Sequence, residues 1–327
     1  MTAPAPPPPG DGLSLADVAE TVCARSDAVH IVEHGPDRYA AYADGLRDDA
    51  GVPSTLRLLR DEQQQTAFVL VRDCINFGSG FHPELAKRQG LSGARTVEKA
   101  LLERVQAHGV PDGRWLSAVT PDECAELFGQ PRSGAPMELM TMFAAAWNEF
   151  GRLLCERYDG QVAGLVEDFG GRAARVVDIL GRLDCWRDVS HFGELTVPFM
   201  KRARLATLGL EVAAREHART RFADLAQVPA FADNLIPHVL KTDGLLAFAP
   251  ELEARIDRGE LLEHGSPEEV ALRSGAVAVC SRLAAASASA ATAGARTPLE
   301  VASRLWKRGQ QPGYKRRPRP RARCFAY

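Results

Sequence analysis

Helical segments with recognisable caps recur along almost all of this 327-residue chain, and that recurrence restricts it to a mainly α fold. SLADVAETVCARS (14–26) opens on a serine with an acid three residues on, and its apolar positions 15, 18, 19 and 22 share one face. TVEKALLERVQAHG (96–109) starts on threonine and stops on glycine; TPDECAELF (120–128) adds proline at its first helical position. The longest candidate is MELMTMFAAAWNEFGRLLCERYDG (137–160), with Gly151 as a tolerated weak point. Segments 170–183, 200–220, 250–262 and 266–287 complete the set. Only TAFVLVRDCINF (66–77) reads as a strand, and one strand does not make a sheet. The expectation is a mainly α, single compact domain over 13–327 with at most a small strand element.

Composition narrows the function class. The chain is 45% apolar and 25% charged, enough to enclose a small-ligand pocket. The longest uncharged stretch, near 283–295, is rich in Ala and Ser and too polar for a membrane span, so no membrane partner is expected. MTAPAPPPPGDG (1–12) lacks the basic start and apolar core of a signal peptide and reads as a disordered, proline-rich leader. Seven scattered cysteines without a CxxC pair indicate neither a zinc cluster nor a disulfide framework; they read as reduced, mostly buried side chains of a cytoplasmic protein. Net charge is −2, but nine Lys or Arg and no acid lie from Ala302 onward, so 31 bases face 42 acids before it. A basic tail on an acidic body suits contact with nucleic acid, binding of a phosphate, or folding back on its own domain.

Three stretches carry candidate chemistry. PAFADNLIPHVLKTDGLL (229–246) sets Asp233 in an apolar run, where an unpaired carboxylate is expensive to bury. On a helix from about Phe231, Pro237 lies four residues after Asp233 and would break the helix there. Asp233 then either caps a short helix or points into a cavity. DCINFGSGFHP (73–83) offers Asp73 and Asn76 as hydrogen-bonding groups and Phe77 and Phe81 as flat rings, or forms an Asx-stabilised turn over packed aromatics. VPFMKRARL (197–205) puts Lys201, Arg202 and Arg204 at a helix start, the wrong end for cations unless an anion sits there; otherwise they form a solvated face above core residues Phe199 and Met200. Glu269 and Arg273 can pair along one helix face. Pro, Gly and Arg make LWKRGQQPGYKRRPRPRARCFAY an unlikely helix, yet it ends as though Phe325 and Tyr327 dock. No HExxH, GxSxG, GxGxxG or GxxxxGK[ST] occurs, and no metal or cofactor is expected. Stabilisation of charge by a carboxylate suits these residue types better than metal or acyl-enzyme chemistry.

As an ordered set, LVRDCINFGSGFHPELAKRQGLSG, VPFMKRARL, FADNLIPHVLKTDGLL, GELLEHGSPEEVALRSGAV, LWKRGQ and PRPRARCFAY resemble the queuosine salvage protein family, the queuosine 5′-phosphate N-glycosylases. Ala94 departs from that pattern, where an aromatic is expected. The resemblance implies a helical fold related to helix–hairpin–helix DNA glycosylases and hydrolysis of the bond between queuine and ribose 5-phosphate. Queuosine 5′-monophosphate, queuosine and queuine are then the expected ligands, with no stable nucleic-acid binding. Carried onto this chain, Asp233 becomes the catalytic carboxylate and Lys201 a substrate-facing cation. Asp73, Asn76 and Phe77 become base contacts, and Phe199, His238, Arg273 and Tyr327 complete the substrate-binding set, with the basic segment 302–327 folded back. The phosphate is expected at the start of the 200s helix, with help from Arg273 or the tail. A base-excision glycosylase and a non-catalytic nucleotide- or tRNA-binding protein are the competing readings.

Overall fold

Side chains that satisfy the free N–H groups of the first turn fix where several helices begin. The computed structural model describes residues 13–46, 54–289 and 296–327; the expected leader over 1–12 lies outside them. Ser14 and Asp17 form a reciprocal capping box on the helix Leu15–Arg25, as do Thr120 and Glu123 on Pro121–Phe128, and Thr297 and Glu300 on Pro298–Arg308. Ser92, rather than Thr96, caps Gly93–His108; the Thr96 hydroxyl instead accepts from the Arg88 N–H at 3.1 Å.

The run 66–77 is not a strand. It belongs to the helix Glu62–Cys74, capped by Asp61, whose side chain accepts from the Gln64 N–H at 2.8 Å. This helix buries Gln65, Thr66, Val69, Val71 and Cys74 on several faces, so its apolar residues run continuously and carry no 3.6-residue period. Gly209 of the helix Lys201–Glu216 sits against it: a Cβ there would come within 2.7 Å of Val69 Cγ1.

The described residues form a mainly α-helical single domain whose two antiparallel ribbons serve as connectors. Val29–Ile31 pairs with Leu246–Phe248, His30 opposite Ala247. Val189–Phe192 pairs with Leu195–Pro198 across a turn in which Gly193 adopts φ 56°, the positive φ a two-residue hairpin turn requires. Helix Pro267–Ser289 is long and apolar enough to cross a membrane by length and composition, yet it is the central core helix, packed against Leu15–Arg25, Pro36–Asp44 and Pro298–Arg308. Its apolar side chains point all round because neighbours cover it all round. Gly151 is no weak point in Gly134–Arg157 but the place where that helix meets Gly113–Ala118; a Cβ would lie 2.3 Å from the Ser117 nitrogen.

The C-terminal stretch is partly helical after all: Pro298–Arg308 runs through Leu305 and Trp306, and Pro312–Lys315 adds one turn. Beyond it the chain extends with alternating burial, Ala322, Cys324 and Ala326 inward and the basic side chains of Arg321 and Arg323 half-buried. Leu262 N–H donates to the Arg321 carbonyl at 2.8 Å, and Gly78 N–H to the Tyr327 carbonyl at 3.0 Å.

Candidate active site

Asp233 stands just ahead of the helix Leu235–Thr242, and its Oδ1 accepts the N–H groups of Leu235 at 2.9 Å and Ile236 at 3.0 Å. The helix therefore starts after the acid rather than before it, and Pro237 falls in the first turn, where its missing N–H costs nothing. Capping and inward placement coexist: only 6% of Asp233 is exposed, with Phe231, Ala232, Leu235 and Ile236 buried around it. Among the described residues Oδ2 accepts no hydrogen bond. The cap uses one oxygen and leaves the other.

Lys201 begins the helix Lys201–Glu216, is buried, and feels the charge of Asp233. Its Nζ donates to the Asn76 carbonyl at 2.8 Å. Burial pushes the ammonium down to about 8, while the charges of Asp233 and Asp73 work in the opposite direction. The expectation of an open anion site at this helix start is not met. The anion there is the protein's own Asp188, whose Oδ2 accepts the Lys201 N–H at 2.9 Å. Nor do the neighbouring cations form a solvated face. Arg202 is buried and donates to the Cys74 carbonyl; Arg204 is buried and donates to the carbonyls of Ala230 at 3.1 Å and Pro198 at 3.0 Å.

Arg273 is equally committed. It forms a two-pronged ion pair with Asp188 (2.9 and 2.5 Å) and reaches the Ala232 carbonyl at 3.3 Å. Its guanidinium lies 4.0 Å from the Phe199 ring centroid and 5.0 Å from that of Tyr327. Glu269, 3.7 Å away along the helix, is the lesser partner. Burial alone would raise the Asp188 carboxyl, but Arg273 and the Lys201 N–H hold it below the usual carboxylate range. The pair does positional work: Asp188 grips Lys201, and Arg273 grips the residue before Asp233. Arg273, Phe199 and Tyr327 thus pack together, with the guanidinium donors on Asp188 and the Ala232 carbonyl.

The 73–83 segment meets the cluster at the Asn76 carbonyl, which accepts from Lys201. Asp73 is fully buried and engaged by Arg72 at 2.8 and 3.0 Å and by the Asn76 side chain at 3.1 Å, so it reaches Lys201 through its charge alone. Phe77 packs edge-on to Phe143 and tilted to Phe325, each at 5.1 Å, beneath the Arg202 guanidinium at 4.7 Å. Its ring is a core member. His238 donates from Nε2 to the Tyr314 carbonyl at 3.0 Å and ties its helix to the tail.

Sequence reading passed over three residues. Asp188 lies in WRDVSHF, where nothing marks it as a partner for an arginine 85 positions away. His82 is neutral at working pH: burial, then the cations Arg319, Lys87 and Lys201, push it down to about 3. Arg319 belongs to the tail and feels the charge of Asp233, which opposes the lowering of its pKa by burial. Two clefts of about 200 and 310 Å³, the first bordered by Glu62 and Arg221 and the second by Asp61 and Val162, lie away from this cluster.

Comparison with known proteins returns a consistent answer. The family profile described as queuosine salvage protein matches residues 56–327. The chain is 30% identical over 314 residues to the queuosine 5′-phosphate N-glycosylase/hydrolase of Sphaerobacter thermophilus, covering 93% of this chain and 94% of that one. The Bos taurus protein of the same name is 26% identical over 63% of this chain and 62% of its own. That of Dictyostelium discoideum is 25% identical over 66% and 64%.

Proposed function

This chain belongs to the queuosine salvage protein family, and from that premise we propose that Asp233 is the carboxylate with which it cleaves the N-glycosidic bond of its substrate. The enzyme is an N-glycosyl hydrolase that releases queuine from queuosine 5′-phosphate for salvage.

Queuine is a 7-deazaguanine, so carbon replaces the nitrogen through which an ordinary purine could be protonated to leave. The barrier must therefore fall on the sugar side, where positive charge develops on the ribose as the bond breaks. A fixed carboxylate facing that charge is worth a few kcal/mol in a dry site. The observation that carries the reading is the division of labour in Asp233: Oδ1 is locked by two backbone N–H groups while Oδ2 makes no hydrogen bond among the described residues. A carboxylate held this way needs no reorientation as the transition state forms. Lys201, fixed by Asp188 and the Asn76 carbonyl, stands beside it as a charge that favours an anionic ligand. Asn76 acts through its backbone, and Asp73 acts by offsetting the buried lysine. Water completes the reaction by adding to the anomeric carbon, with the departing base taking up a proton.

The test is incubation of the protein with queuosine 5′-monophosphate and chromatography for free queuine. Queuine and ribose 5-phosphate in equal amounts are expected; an unchanged nucleotide under saturating enzyme contradicts the reading.

A further inference from the structure

Arg319 sits between Pro318 and Pro320, half-buried, and its guanidinium makes no hydrogen bond or ion pair within 4 Å among the described residues. Burial lowers its pKa, and the charge of Asp233 opposes that lowering. The neighbouring arginines are each tied to the protein: Arg72 to Asp73, Arg202 to the Cys74 carbonyl, Arg204 to two carbonyls with its Nε left without a partner, and Arg273 to Asp188 and the Ala232 carbonyl.

Its position is fixed from several sides. The flanking prolines restrict the backbone to an extended path. The Pro320 carbonyl accepts from the side chain of Asn234, the residue next to Asp233, at 2.8 Å. The Arg321 carbonyl accepts from Leu262, and Ala322 lies so close to Gly80 that a Cβ on the glycine would be 2.4 Å from the Ala322 oxygen. The tail thus brings one unpaired guanidinium to the rim of Asp233 without letting the two groups join. Lys315, Arg316 and Arg317, all exposed, extend the positive charge outward along the same segment.

We propose that Arg319 binds the 5′-phosphate of the substrate and sets the preference for the nucleoside monophosphate over the free nucleoside. The proposal rests on the N-glycosylase reading above. A planar fork of N–H donors matches two phosphate oxygens at once, and a ribose with its anomeric carbon at Asp233 carries its phosphate at the far end of the sugar.

The experiment compares kcat/KM for queuosine 5′-monophosphate and queuosine in the unaltered enzyme, Arg319→Ala and Arg319→Lys. Loss of two charge-assisted hydrogen bonds is expected to lower the monophosphate-to-nucleoside ratio about 100-fold in Arg319→Ala and less in Arg319→Lys. A ratio that stays constant, whether or not both activities fall, overturns the assignment and leaves the hydrolase reading intact. Failure of the unaltered enzyme to release queuine from either substrate defeats the hydrolase reading itself. Independently of variant folding, ribose 5-phosphate should inhibit queuosine cleavage by the unaltered enzyme at least tenfold more strongly than ribose. Equal inhibition by the two sugars also overturns the assignment.

Discussion

Asp233 illustrates how one residue can satisfy two readings at once. Its sequence context offered a helix cap or a cavity-facing acid, and the structure uses Oδ1 for the first while leaving Oδ2 for the second. Lys201 gives the residue scale its pH signature. The ammonium titrates near 8 in the folded protein, against about 10.4 in an unfolded chain. The shift is downward, so between those values the unfolded chain binds more protons and stability contributed by Lys201 rises with pH; below about 8 both states hold the proton and its burial is a standing cost. Activity runs the other way, because the charge beside Asp233 disappears above the folded pKa. We therefore expect kcat/KM to decline above pH 8, and Lys201→Arg to move that decline to higher pH; an unmoved decline in the variant would remove Lys201 from the reaction.

At the scale of elements, the site depends on a buried ion pair joining three segments. Asp188 precedes the 189–192 strand, Arg273 lies in the core helix Pro267–Ser289, and between them they hold the Lys201 N–H and the Ala232 carbonyl. Asp188→Asn removes the two-pronged partner of the buried Arg273 and leaves it Glu269 at 3.7 Å, and urea denaturation should show a loss of about 3–5 kcal/mol. Because the Asp188 pKa is lowered on folding, its contribution is complete above about pH 4 and is lost as pH falls through the folded value. A variant as stable as the parent would mean that the pair does not hold these segments. Such a connection was illegible in the sequence, since it spans 85 positions and Arg273 had a nearer partner in Glu269. Helix starts at Ser14 and Thr120 were legible because a capping box needs particular residues three apart. The helix Glu62–Cys74 was misread as a strand because burial on several faces erases the period that tells the two apart.

Over the whole molecule, the site is assembled from the 73–82 segment, the starts of two helices, and a tail that closes over them. The closing contact is tight at Gly80. Gly80→Ala should displace the tail, raising hydrogen exchange over 319–327 and lowering kcat/KM while most of the helical core keeps its protection. Unchanged exchange in the tail would show that the contact is not needed. The aromatic ending pointed to docking in the sequence, and Tyr327 is indeed buried against Arg273, but the service that segment performs next to Asp233 had no local pattern to announce it. The most direct measurement pairs equilibrium binding of queuosine 5′-monophosphate with single-turnover queuine release by Asp233→Asn. Asparagine can still accept the Leu235 and Ile236 N–H groups, so the cap survives while the charge is lost. The account predicts binding close to that of the unaltered enzyme with release slowed by about 10³-fold; release at the unaltered rate would contradict it.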